Sequence, residues 1–376
     1  MDWLRIIAVL LLLPFHTAMI FVPWGFHIKN VQKSDVLLCF NSFLNLWHMP
    51  LLFMLSGIGT WYALNFRKPG EYVKERVLRL FVPLIFGMFV IVPPQTYVER
   101  LQKNHFKGSY LDFLSHLFNG FYPDGNITWN HLWFMVYLFL FSVIGISFFR
   151  IMKLDKSVPG LERLSNWFGK GPRIFLGCLP FSIAQIALIT GWPNGDQNLI
   201  GDLDNFSLHF LIFVFGFMAC TGEGYFNAFS KNKLIALIIA VPCSAVLISG
   251  EFIEIKRNTL GLIVGLTYLG LRGLCTWCWL IVFLGYAREY LNIKNRFLVY
   301  AAEAALPFYI LHQTVILLIG YNVVKFGWGV PAKFLLIVVS AFIGTIAIYD
   351  TLVKRISILR FLFGMRPKAR ATKLRS

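Results

Sequence analysis

A chain of 376 residues that is 57% hydrophobic and only 14% charged, with a mean hydropathy of +0.66, is too apolar for a soluble domain, where about a quarter of residues carry charge. Its formal charge of +17 would point to nucleic acid in a soluble protein. In a membrane protein, Lys and Arg gathered on cytoplasmic loops account for it, so no nucleic-acid partner is expected.

Apolar runs of about 18 residues or more mark membrane spans. Ten are predicted, at about 4–23, 37–65, 78–98, 131–152, 174–192, 207–221, 233–250, 259–287, 297–321 and 332–353. The first run starts at once and has no small-residue cleavage site, so it reads as a span rather than a cleaved signal. Of the 35 basic residues, 24 fall on one alternating set of loops and the C-terminal tail, and 9 on the other. The bias puts both termini in the cytoplasm. The fold class expected is therefore all-α and polytopic, with one transmembrane domain over 1–353 and a basic cytoplasmic tail over 354–376. Cys39, Cys178, Cys220, Cys243, Cys275 and Cys278 lie in or beside the runs and read as packing residues, the CxxC at 275–278 included. No metal site is expected.

Ionisable residues within spans are costly and default to a functional reading. The first span holds Arg5 and His16, eleven residues apart. At ~100° and ~1.5 Å per residue they share one helix face, roughly 16 Å apart along the axis. Pro14, between them, removes one helical hydrogen bond. Counted from the loops, His16, His48 and His312 all fall near mid-bilayer, whereas His131 and His209 fall nearer the outer surface. Arg272, also within a span, needs a partner, and Glu303 is a candidate. At the start of the third span Arg76 and Arg79 are three residues apart and hence neighbours; with Arg5 they suit phosphate. On spacing alone, plain anchoring at a membrane surface is the simpler account of them. The longest outer loop, about 99–130, is rich in aromatic and amide side chains and runs into His131-Leu132-Trp133-Phe134. It reads either as an interfacial aromatic belt or as the lining of an outward cleft for sugar hydroxyls.

In these patches the chain resembles the membrane-bound acyltransferase family 3. The carriers are Arg5-x10-His16 with Asp2 before it, His48-Met49-Pro50-Leu51-Leu52-Phe53-Met54-Leu55-Ser56-Gly57, Arg76-x2-Arg79-x3-Pro83, His131-Leu132-Trp133-Phe134, and Glu303 through His312. The ending Leu359-Arg360-Phe361-Leu362-Phe363-Gly364 is similar to that of the branch containing the glucan-biosynthesis succinyltransferases. No fused extracytoplasmic hydrolase-like domain, which some members carry, is read here. The resemblance implies an O-acyltransferase of a bacterial inner membrane, moving an acetyl or succinyl group from cytoplasmic acyl-CoA to a hydroxyl of an extracytoplasmic or membrane-linked glycan. Acyl-CoA is then a co-substrate, with no bound cofactor. His16 would be the general base with Arg5 beside it. Arg76, Arg79 and Arg5 would hold the donor's phosphates, and His48, His131, Trp133, Glu303 and His312 would support the acceptor side. The competing expectation is a transporter or flippase of a glycan or lipid-linked sugar, although the halves of the chain show no repeat.

Overall fold

The computed structural model describes residues 1–188, 199, 201–252 and 262–366. It is 79% helical, with no strand among the described residues; a lone β-bridge joins Phe121 and Ile127. Ten helical stretches among these residues are long and apolar enough to cross a membrane. They are Asp2–Phe21, Asp35–Phe66, Pro69–Gln102, Asn130–Met152, Gly171–Leu188, Leu203–Thr221, Glu223–Ser249, Gly265–Tyr290, Arg296–Val323 and Val330–Val353. Each coincides with a run predicted from the sequence. The ends of two predicted runs (189–192 and 259–261), the loop cations Lys256 and Arg257, and the tail residues Lys368, Arg370, Lys373 and Arg375 lie outside the described residues.

The chain folds as two compact units. One comprises Met1–Ala8, Asp35–Val73 and Tyr137–Leu298. A close seam is formed by the helices His48–Phe66 and Leu203–Met218, where Gly57 and Gly216 bring the two backbones together. Small residues permit this closeness, which drives helix association where lipid offers no hydrophobic contrast. Around the seam lies an aromatic core: Phe149 stacks on Phe217 at 4.0 Å between ring centres, and the buried Trp277 donates its indole N–H to Ile174 O at 2.7 Å. Cys275 and Cys278 are buried here as free thiols, Cys275 beside Ser244 Oγ at 3.3 Å.

The other unit comprises Val9–Ser34, Lys74–Val136 and Val299–Ser376. The first helix, Asp2–Ala18, runs unbroken through Pro14. In Pro69–Gln102 the α-helix is interrupted twice by π-helical turns, at Val77–Phe81 and Gly87–Ile91. Such turns free backbone carbonyls and recur at functional sites; here Thr314 donates to Ile91 O at 2.7 Å. The loop after this stretch is pinned by Arg100, which donates to the carbonyls of Pro123 (2.6 Å) and Gly125 (2.7 Å) and to Asn126 Oδ1 (3.2 Å). The first part of the expected basic tail is folded: Ser357–Leu362 is helical, and the buried Arg360 on it binds Glu303 at 2.9 Å.

The loop between the first two spans holds a lysine that reports on pH. Lys29 Nζ donates to Met19 O at 2.6 Å and Val22 O at 2.8 Å. Burial, then the charge of Lys33, pulls its pKa from 10.5 down to about 8. A neutral amine still has donors for both carbonyls. Between about pH 8 and 10 the unfolded chain therefore holds a proton that the folded protein has released, and stability rises with pH across that window. Lys29→Met should flatten this rise when unfolding temperatures at pH 7.5 and 9.5 are compared. An undiminished rise in the variant would assign it to other groups.

Candidate active site

Three helices of the second unit place their polar groups together. His16 comes from the first helix. His131 sits on a 3₁₀ turn, Asn130–Leu132, entered through Asn130 at φ +43°, a left-handed conformation that Asn tolerates better than most residues. His312 lies within Arg296–Val323, five residues after Pro307.

The hydrogen bonds fix the tautomers. His312 Nδ1 is 2.6 Å from Tyr309 O, a carbonyl that only accepts, so Nδ1 carries the proton and neutral His312 offers a lone pair at Nε2. That Nε2 is 3.0 Å from His16 Nδ1, which also lies 3.1 Å from Leu12 O. With two acceptors against it, His16 Nδ1 holds the hydrogen, and the lone pair of neutral His16 falls on Nε2. His312 is fully buried and stacks on Phe308 at 6.1 Å; Phe26 stacks on His16 at 6.2 Å.

His131 lies edge-on to His312 with ring centres 5.3 Å apart. Its Nε2 faces Ile310 O at 3.1 Å and its Nδ1 faces Gln95 Nε2 at 3.4 Å. The first contact requires N–H on Nε2, and the amide then donates to Nδ1. Tyr309 donates its hydroxyl to His131 O. Gln95, fully buried, is a hub: its Nε2 also donates to Thr314 Oγ1 (2.7 Å), and its Oε1 accepts from Gln313 (3.0 Å) and Asn130 (3.2 Å). A buried network whose members satisfy one another holds its side chains rigid.

His131 was expected nearer the outer surface than His312, but their rings adjoin. Depth counted in residues misleads because Arg296–Val323 has 28 residues, against about 20 for a perpendicular span. His48, expected at the depth of His16 and His312, belongs to the first unit, where its Nε2 meets Ala8 O at 2.6 Å. Arg5 is in that unit as well, 3.3 Å from Asp2. Arg76 and Arg79 belong to the second unit, with Arg79 in the π-helical turn bonded to Glu75 (3.4 Å) and Gly364 O (3.3 Å). Trp133 is buried at the start of Trp133–Met152. Glu303 takes Arg360 as its partner.

The sequence reading passed over Gln95, Gln313, Thr314 and Asn130. The available signal was polar side chains inside or at the edge of apolar runs, Pro93-Pro94-Gln95-Thr96 and His312-Gln313-Thr314. It likewise passed over Glu99, buried in the same unit, which binds His27 Nδ1, Lys103 Nζ (2.6 Å) and the Tyr122 hydroxyl (3.1 Å). Burial, then the charge of Glu99, pushes the Tyr122 phenol up to about 12, so it remains a donor.

A basic nitrogen oriented by a second imidazole is equipment for taking a proton from a hydroxyl. The sequence profile of a family described as an acyltransferase domain, acyltransferase 3, matches residues 1–350. The chain belongs to the acyltransferase 3 family. Among the relatives of this acyltransferase 3 chain are the proteins named glucans biosynthesis protein C of Escherichia coli strains O81 (ED1a), O139:H28 and K12. Each is 24% identical over 386 residues, covering 98% of this chain and 94% of the relative. No solved structure matches it. The protein is thus a membrane acyltransferase, and the transporter reading is set aside.

Proposed function

We propose that this acyltransferase moves an acetyl or succinyl group from acyl-CoA to a hydroxyl of a glycan in or beyond a bacterial inner membrane, with His16 as general base. The observation that carries the reading is the 3.0 Å bond between His312 Nε2 and His16 Nδ1, which leaves the basic lone pair of His16 on Nε2. A hydroxyl of the acceptor gives its proton to His16 Nε2 as its oxygen attacks the thioester carbonyl. The tetrahedral intermediate collapses with cleavage of the C–S bond, and the departing thiolate takes the proton back from His16. Protons balance without a cofactor. During attack the His16 imidazolium keeps its Nδ1–H against His312 Nε2 and Leu12 O, two neutral acceptors that favour the charged ring. The names of the relatives, which refer to glucan biosynthesis, support a glucan as the acceptor class. The pinned aromatic loop around Tyr122 supplies the kind of faces that hold sugar rings.

Arg76 and Arg79 are assigned to the donor's phosphates. A charge-assisted hydrogen bond contributes ~1.5–3 kcal/mol. Arg79→Ala should therefore raise KM for the thioester ~10- to 100-fold and leave KM for the acceptor near wild type. The reverse pattern would remove Arg79 from the donor site. The overall reading is tested by purified full-length protein in detergent, given acetyl- or succinyl-CoA with and without a soluble glucan. Free thiol that appears with one donor, and only when the glucan is present, supports it. Thiol release that is indifferent to the glucan would refute the acceptor assignment.

A further inference from the structure

The second unit carries an open, charged cavity that the chemistry at His16 does not use. Glu303, Asp350, Lys354, Arg355 and Arg360 line a space of about 550 Å³, well within the ~300–1,000 Å³ of small-molecule sites. Three cations face two carboxylates, and the pairing is incomplete. Lys354 Nζ stands 3.7 Å from Asp350, at the outer limit of an ion pair. Arg355 uses Nε on Asp350 O at 3.0 Å, and its side chain makes no ion pair among the described residues. Arg360 directs its terminal nitrogens to Glu303 (2.9 Å), Lys354 O (3.2 Å) and Arg366 O (2.9 Å), while its buried Nε has no hydrogen-bond partner among the described residues. Tyr300 stands behind two of these lining residues: Lys354 Nζ lies 4.8 Å from its ring centre, and its hydroxyl donates to Asp350 at 2.8 Å.

The cavity and Arg79 are tied through one short segment. Arg360 and Gly364 are four residues apart, and Gly364 O receives the hydrogen bond of Arg79 Nε. Gly364 has φ +67°, and a Cβ there would lie 2.7 Å from Arg79 O and 2.9 Å from Pro83 Cγ. Only glycine meets both demands, so the segment is seated tightly against the residue assigned to phosphate.

We propose that this cavity receives the nucleotide end of the thioester donor, a 3′-phosphorylated adenosine diphosphate. The inference rests on the donor reading above. Arg355 and Lys354 supply charge for phosphate, and Asp350 and Glu303 accept from the ribose hydroxyl or the exocyclic amine. A phospholipid headgroup offers the same phosphate without a ribose hydroxyl or an exocyclic amine to donate.

The test uses the full chain in detergent with adenosine 3′,5′-bisphosphate as probe, titrated by calorimetry against wild type and Lys354→Gln/Arg355→Gln. Lys354 and Arg355 both line the cavity wall, and Lys354→Arg serves as the conservative rescue. The double variant should bind the probe ~10-fold or more weakly, and Lys354→Arg alone should retain most of the affinity. In the transfer assay the double variant should raise KM ~10-fold for acyl-CoA and not for acyl-pantetheine, which lacks the nucleotide. Equal losses with both donors would make the role structural and overturn the proposal. So would undiminished probe binding, or displacement of the probe by phosphoethanolamine at equal concentration. Wild type that releases no thiol from either donor would instead overturn the donor reading itself.

Discussion

His16→Ala should lower acyl transfer by ~10²–10⁴-fold, the range of a well-placed general base, while the protein still inserts and elutes as a single species in detergent. Removing the ring leaves no group at the place where Nε2 stood to take the hydroxyl proton. The companion variants separate chemistry from packing. In His312→Leu, His16 loses its second acceptor but keeps Leu12 O, 3.1 Å away. One net hydrogen bond is worth ~1 kcal/mol, so roughly a 5-fold loss follows in kcat. His312→Gln returns an acceptor oxygen and should recover part of it. The pH–rate profile provides the decisive readout: the acidic limb, where the base at position 16 would be protonated, should move in His312→Leu and vanish in His16→Ala. Full activity in His16→Ala would end its assignment as base, and an unmoved profile in His312→Leu would end the role given to His312.

Gly57→Val is expected to be the most damaging single substitution for stability in the first unit. A Cβ at Gly57 would lie 2.0 Å from Phe213 O and 2.9 Å from Phe217 N; across the seam, a Cβ at Gly216 would lie 2.2 Å from Met54 O. These neighbours are backbone, so no side chain can rotate away. Overpacking costs ~1–3 kcal/mol where side chains can yield; here two helices must separate, and the cost belongs at or above the top of that range. The unfolding temperature in detergent should drop by several degrees. Gly70→Ala is the control: nothing lies within 4 Å of its Cβ position, and replacing a helical glycine by alanine is neutral to mildly stabilising. A Gly57→Val protein as stable as Gly70→Ala would show that the seam can open freely.

Ten spans were legible because twenty apolar residues in a row leave few alternatives, and each predicted run has its helix. His16 and His312 were legible because an imidazole inside a span is conspicuous. Their direct pairing was not, since the two residues are 296 positions apart and helix rotation leaves no mark in composition. The Gln95 hub escaped for a different reason. An amide carries no charge, so attention to ionisable residues passes it by, although an unpartnered amide in lipid is also costly. Glu99 escapes because the apolar run stops at residue 98, one position short. The helical stretch continues to Gln102.

The pairing of His16 with His312 also sets an order of events during synthesis. The ribosome makes His16 296 residues before its partner, which arrives with the ninth of the ten described spans. A nascent chain that carries the early spans has the ring proposed as the base but not the group that accepts its hydrogen bond. The two rings therefore meet only after the ninth described span has been made, so the bond that orients His16 is a late event of folding and not a local one.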